Sequence, residues 1–93
     1  MATTSKKFFY LRSVETDEGP FGEEYAYPAV EQSRHCTRDK ARAALRRRVA
    51  YLRLNGYSRT GGRGNAAIME TTFDHGSQAS QNWQTVKVRL YIT

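Results

Sequence analysis

Hydrophobic residues return every three or four positions across residues 37–55, TRDKARAALRRRVAYLRLN, and nowhere else for so long. Ala41, Leu45, Val49 and Leu52 fall on one stripe of a helix. Thr37 suits the N-cap, where its hydroxyl accepts from a free first-turn amide, and Asp39 puts negative charge at the positive end of the helix dipole. Asn55-Gly56 supplies the stop, because glycine tolerates the left-handed conformation that closes a helix.

Elsewhere the period is two or the pattern breaks. Residues 83–93, WQTVKVRLYIT, alternate strictly: Val86, Val88, Leu90 and Ile92 against Thr85, Lys87, Arg89 and Tyr91. Residues 6–14, KKFFYLRSV, read as a first strand, with Phe9 and Leu11 on one side and Phe8, Tyr10 and Arg12 on the other. Residues 24–30, EYAYPAV, read as a second strand that Pro28 pushes to a sheet edge or cuts short. Residues 66–73, AAIMETTF, form a third. Between them lie a turn at 15–22 containing Gly-Pro, a lead into the helix at 31–36, a mobile glycine-rich loop at 57–65, and a polar hairpin connection at 74–82. Residues 1–5 are a frayed start. The pattern predicts an α+β fold of one domain over residues 1–93. Its form is a four-stranded antiparallel sheet (β-β-α-β-β) with one arginine-rich helix packed on one face.

Charge changes this picture most. The chain carries a net charge of +6. From Arg34 to Arg63 there are ten Lys and Arg with only Asp39 to oppose them. Arg42, Arg46 and Arg53 share one flank of the apolar stripe, Arg38 sits nearer its middle, and Arg47 points away from the core. Arg48 falls among the apolar positions, so it either runs along the sheet edge with its head in solvent or needs a buried partner, for which Glu70 is a candidate. A solvated helix face usually mixes signs to gain side-chain pairs. The imbalance here favours a polyanionic partner over plain solvation. Arg59 and Arg63 in the glycine-rich loop extend the same surface, since glycines let backbone amides approach phosphates and arginines form charge-assisted bonds to them. The Gly-Lys-Ser/Thr ending of a P-loop is absent, and a plain flexible connection also accounts for the loop.

A single helix leaves one sheet face open. Trp83, Lys87, Arg89 and Tyr91 are expected there, joined by Phe8, Tyr10 and Arg12 and by Tyr25 and Tyr27. Interleaved aromatics and cations suit the stacking of unpaired bases, a dimer interface or an ordinary half-buried face. Six acids between residues 15 and 31 (Glu15, Asp17, Glu18, Glu23, Glu24 and Glu31) meet no Lys or Arg in that stretch, so the chain is electrically polarised. That stretch is a solvated loop that balances the helix, a lure for basic protein surfaces or a phosphate mimic.

Catalytic and metal chemistry find little footing. His35 and Cys36 are sequence neighbours, His75 stands alone, and no metal-ligand spacing occurs, so no cofactor and no enzymatic activity are expected. The lone Cys36 fits a reducing cytoplasm; no apolar run reaches the roughly 18 residues of a membrane span, and no signal peptide is expected.

Taken as a whole, and especially in FFYLRSVETDEGPFGEEYAYP and ARAALRRRVAYLRLNGYSRTGGRG, the chain resembles the small bacteriophage proteins that switch off host CRISPR–Cas immunity. It is most similar to the anti-CRISPR inhibitors of the type I-F surveillance complex. That group shares no common motif, so no residue role is carried over. The resemblance implies a non-enzymatic protein in the host bacterial cytoplasm that binds a crRNA-guided complex and blocks target-DNA hybridisation, touching crRNA and Cas backbone subunits. No membrane and no small-molecule substrate is implied. The residues expected to carry binding are Arg42, Arg46, Arg47, Arg53, Arg59, Arg63, Trp83, Lys87 and Arg89. Two other readings stand beside this one: a phage protein that binds DNA or RNA directly, and an assembly protein that oligomerises through its open sheet face.

Overall fold

Alternation and helical periodicity meet in one antiparallel sheet with a single helix laid across it. The structure, a computed structural model, describes residues 7–74 and 83–93, side chains excepted at Asp74 and Trp83. Its elements in order are β1 (Phe9–Glu18), β2 (Glu24–Ala26), β3 (Val30–His35), α1 (Arg38–Leu54), β4 (Ser58–Gly61), β5 (Ala66–Asp74) and β6 (Trp83–Ile92). The sheet runs β2-β1-β6-β5-β4, with β3 also paired to β1. The fold is therefore α+β, but the sheet has six strands, not the expected four. The expected frayed start at 1–5 and the connection at 75–82, with His75, lie outside the described residues.

The two additional strands have separate causes. After the turn at Gly19–Glu23, closed by Gly19 N–H donating to Glu23 C=O at 2.8 Å, the chain returns along the outer edge of β1. Pro28 has no amide to donate and a fixed φ, so this edge breaks into β2, opposite Thr16–Glu18, and β3, opposite Phe9–Ser13. Tyr27 N–H still reaches Glu15 C=O at 2.9 Å across the break. Residues 31–36 are thus mostly a strand and not a lead into the helix. β4 occupies half of the expected glycine-rich loop. Its pairing to β5 needs only backbone, so serine, threonine and glycine serve. β1 also runs four residues beyond its expected end, through Glu18. Glu15, Asp17 and Glu18 are poor strand formers, yet Val88, Val86 and Thr85 of β6 supply a complete ladder opposite them.

The helix begins and ends as its sequence dictates. Thr37 Oγ1 accepts from Lys40 N–H at 3.2 Å, and Asp39 stands in the first turn. At the other end Gly56 takes φ +89°, Gly56 N–H donates to Arg53 C=O at 3.1 Å, and Tyr57 N–H donates to Leu52 C=O at 3.0 Å. This is a Schellman closure, completed by Tyr57 packing on the core beside Leu52.

Ala44, Leu45, Val49 and Leu52 of α1 pack onto Leu11, Ala67, Met69 and Leu90, with Val88 and Ile92 at the margin. Small residues at the seam (Ala41, Ala44 and Ala67) let helix and sheet approach closely. Ser13 is the one buried polar residue among those described, and its Oγ accepts from Gln32 Nε2 at 2.8 Å. Register places Ser33, Gln32, Thr71 and Gln84 on the helix side too. Tyr25 opposes Asp17, which opposes Val86, so Tyr25 and Tyr27 lie on the helix side and not on the open face where they were expected. Arg48 is half-buried with its guanidinium 4.9 Å from the Tyr51 ring centre. Glu70 is not its partner: it follows the helix-facing Met69 and opposes Lys87 on the far face.

Leu45→Ala removes the centre of this seam, where Leu45 is 5% exposed. Chemical denaturation should show a loss of about 2–5 kcal/mol; a near-neutral result would contradict this placement of the core.

Candidate polyanion interface

Three arginines converge where α1 meets the β4–β5 edge. Arg46 and Arg53 of the helix and Arg59 of β4 line a groove of about 260 Å³ floored by Leu45, Val49 and Ala67. Arg46 and Arg53 share this flank because seven residues bring a helix almost to the same angle. Arg59 joins them because it opposes Met69, whose side chain faces the helix.

The turn behind the groove is built, not loose. Arg59 donates from Nε to Gly61 C=O at 3.2 Å, and from Nη2 to the carbonyls of Gly62 at 3.0 Å and Ala66 at 3.3 Å. Gly62 has φ +83°, and a Cβ there would stand 2.6 Å from Ala67 Cα, so only glycine fits. The expectation of a mobile loop thus gives way to a strand and a tight turn held by a guanidinium. Arg63 projects from the turn, exposed.

The other expected residues divide. Arg42 donates from Nε to Asn65 Oδ1 at 2.8 Å, and Asn65 C=O accepts from Ile92 N–H at 2.9 Å. Arg42 therefore braces the helix to the turn and the last strand. Arg47 lies on the opposite flank with Arg48 and Tyr51, beside Gln32 and Ser33 of β3. Lys87 and Arg89 are exposed on the far sheet face, since they alternate with Val86, Val88 and Leu90. Trp83 opens β6 opposite Asp74, and its side chain lies outside the described residues.

Among the described residues one ion pair forms, Arg42 to Asp39 at 3.9 Å. Arg46, Arg47, Arg53 and Arg63 have no acidic partner among the described side chains. Unneutralised cations on a rigid frame raise the local positive potential, and guanidinium forks match phosphate oxygens in geometry. The surface can hold a chain of phosphates.

The acids collect at the other end. Glu15 and Asp17 lie on the helix side of β1, not in the expected turn. Glu15 shares a cleft of about 380 Å³ with Tyr27, Arg48 and Tyr57, beside the last turn of α1. Asp17 Oδ2 accepts from Tyr27 OH at 3.0 Å and from Gln84 Nε2 at 2.8 Å. Loss of water, then the hydrogen bond to Asp17 and its charge, hold the Glu15 carboxyl above its ordinary 4.5 even though much of the side chain is exposed. The bond to Asp17 raises the Tyr27 phenol, and burial followed by the nearby acids raises Tyr57. Gln84 and Tyr57 were not singled out from sequence, because register alone brings them to these carboxylates.

His35 pairs with Ser33 Oγ at 2.7 Å, and Cys36 is exposed. Among the described residues no three His, Cys, Asp or Glu side chains gather as metal ligands, and no helix is long and apolar enough to cross a membrane.

Two outcomes follow. Arg42→Ala should lower stability by about 1 kcal/mol in urea denaturation, whereas Arg46→Ala should leave it within about 0.5 kcal/mol. A folded-state carboxyl pKa above the unfolded value means that stability is lost as pH rises through that window. Glu15→Gln should therefore raise the melting temperature at pH 7, and the gain should vanish as pH falls below the ordinary carboxylate range.

Comparison with known protein families, with curated proteins and with solved structures finds no match to this chain.

Proposed function

We propose that this chain is a non-enzymatic inhibitor of the anti-CRISPR kind, which binds the type I-F crRNA-guided surveillance complex and blocks target-DNA hybridisation in the host bacterial cytoplasm. The observation that carries the proposal is the arginine flank: Arg46 and Arg53, with Arg59 across the groove, lie on a helix whose only acid is Asp39. Arg63, exposed at the turn behind the groove, widens the surface, and Arg47 adds an exposed cation on the opposite flank of the helix.

A guided complex keeps its RNA in a positively charged channel and starts pairing from a short seed. Guide phosphates would meet the arginine flank. The acid end, with Glu15, Asp17, Glu18, Glu23 and Glu24, would meet basic protein walls of the same channel. Binding of both kinds at once favours a nucleoprotein over either component alone. Seated near the seed, the protein would exclude the incoming strand by occupancy and charge.

The test is a mobility-shift assay with a reconstituted type I-F crRNA complex and a labelled target duplex near 0.15 M salt. The protein should abolish the shift without shifting the duplex by itself. Arg46→Glu combined with Arg47→Glu should weaken inhibition about tenfold or more while circular dichroism stays unchanged, because both side chains are exposed. Target binding that persists with excess protein would end this proposal. The alternative, direct binding of free nucleic acid, requires the protein alone to shift the duplex with a steep salt dependence.

A further inference from the structure

The sheet face turned away from α1 is covered by no other element among the described residues, and its centre is a lattice of rings and cations. Along β1 and its N-terminal approach, Phe8, Tyr10 and Arg12 share this face; along β6, Lys87, Arg89 and Tyr91 do. Antiparallel pairing sets Arg12 opposite Tyr91 and Tyr10 opposite Arg34 of β3. Each ring carries a guanidinium: Arg34 over Phe8 at 4.8 Å, Arg12 over Tyr10 at 5.2 Å and Arg89 over Tyr91 at 5.3 Å. We infer that this face binds single-stranded nucleic acid, stacking unpaired bases on Tyr10 and Tyr91 while Arg12, Arg34, Lys87 and Arg89 hold the phosphates.

Four observations converge. The first is spacing: Tyr91 stands opposite Arg12, so it is the diagonal neighbour of Tyr10 across β1 and β6, about 7–8 Å away, a step that a splayed nucleotide chain can match. The second is access. Tyr91 is flanked by Ala66 and Tyr10 pairs with Thr93, so what lies over the two rings is the guanidinium of Arg89 and of Arg12, which a stacking base would displace toward its own phosphate. Third, the rings are half-buried and held by their cations, so little side-chain freedom is left to lose on binding. Fourth, the Arg12 side chain makes no hydrogen bond among the described residues, and its Nε is buried without a partner. An arriving acceptor would break no side-chain hydrogen bond of Arg12 and would exchange its contact with the Tyr10 ring for a charge-assisted bond.

The chemistry selects this occupant over others. The excess of cations on this face, Arg12, Arg34, Lys87 and Arg89 against Glu31 and Glu70, suits a polyanion, and the rings add stacking surface that only unpaired bases would use. Glu31 and Glu70 oppose Arg12 and Lys87 at the margins without forming ion pairs, which leaves four cations for phosphate. Duplex nucleic acid keeps its bases stacked on one another and offers these rings no face. The inference does not rest on the inhibitor reading, because it uses the opposite side of the molecule.

The test is fluorescence anisotropy with labelled oligo-U and oligo-dT of about 12 nucleotides and a duplex of equal length, near 0.1 M salt. Either single strand should bind about tenfold or more tightly than the duplex. Tyr10→Val with Tyr91→Val keeps strand propensity and should cut single-strand affinity about tenfold or more, given two stacked bases. Arg46→Glu with Arg47→Glu should leave the single-strand preference intact. Should the tyrosine variant unfold, Lys87→Ala with Arg89→Ala replaces it; both residues are exposed, and the slope of log affinity against log salt should become shallower by about 1.4. Equal binding of duplex and single strand overturns the inference. So does retained affinity in folded sheet-face variants, or loss of the preference in the helix variant.

Discussion

Everything in this molecule depends on one helix having to cover a sheet built from strands of nine and ten residues. Only small side chains at the seam allow the close fit that buries Leu11, Met69 and Leu90 almost completely. The helix still reaches only part of one face. The sheet continues past its C-terminal turn toward Asp17 and Tyr27, and its reverse side stays uncovered among the described residues. With so small a core, most of the remaining surface is charge and rings.

The helix was legible in full. Its cap, its stop and its buried stripe each follow from residues within a few positions of one another, so local rules suffice. β6 and the phase of β1 were equally plain, because strict alternation survives whatever the strand pairs with. What sequence missed was decided by neighbours. Glu15, Thr16 and Asp17 become strand only because β6 presents a ladder there, and β4 forms because β5 offers one. Tyr25 and Tyr27 reached the opposite face from the one expected, since pairing to Asp17 sets their phase. Arg34 went unremarked for the same reason: its importance lies in the register that lays it over Phe8.

The arginines show how far composition goes. A count of charge predicted a positive surface, and the structure divides that charge into distinct duties. Arg42 and Arg59 hold the turn through Asn65, Gly61, Gly62 and Ala66, and Arg12, Arg34 and Arg89 lie over rings. Arg46, Arg47, Arg53 and Arg63 remain without either restraint. Residues of one type thus range from structural brace to free cation, and only the free ones respond to a partner without loosening the fold. The acids of β1 and β2 and the unpaired arginines of α1 and the β4–β5 turn lie on different edges of the sheet, which makes the surface potential uneven.

The interrupted edge at Pro28 has a consequence for how copies of this chain can meet. An uninterrupted edge strand is a template on which another chain can add itself, and sheets without such protection tend toward filaments. Here one edge is cut between β2 and β3 by a residue with no amide to offer and shifts register opposite Leu11 and Arg12. The other edge is only the four residues of β4, itself irregular between Arg59 and Gly61. Neither margin presents a long straight row of donors and acceptors. Growth of the sheet at its sides is disfavoured, and the broad surfaces it leaves are its two faces.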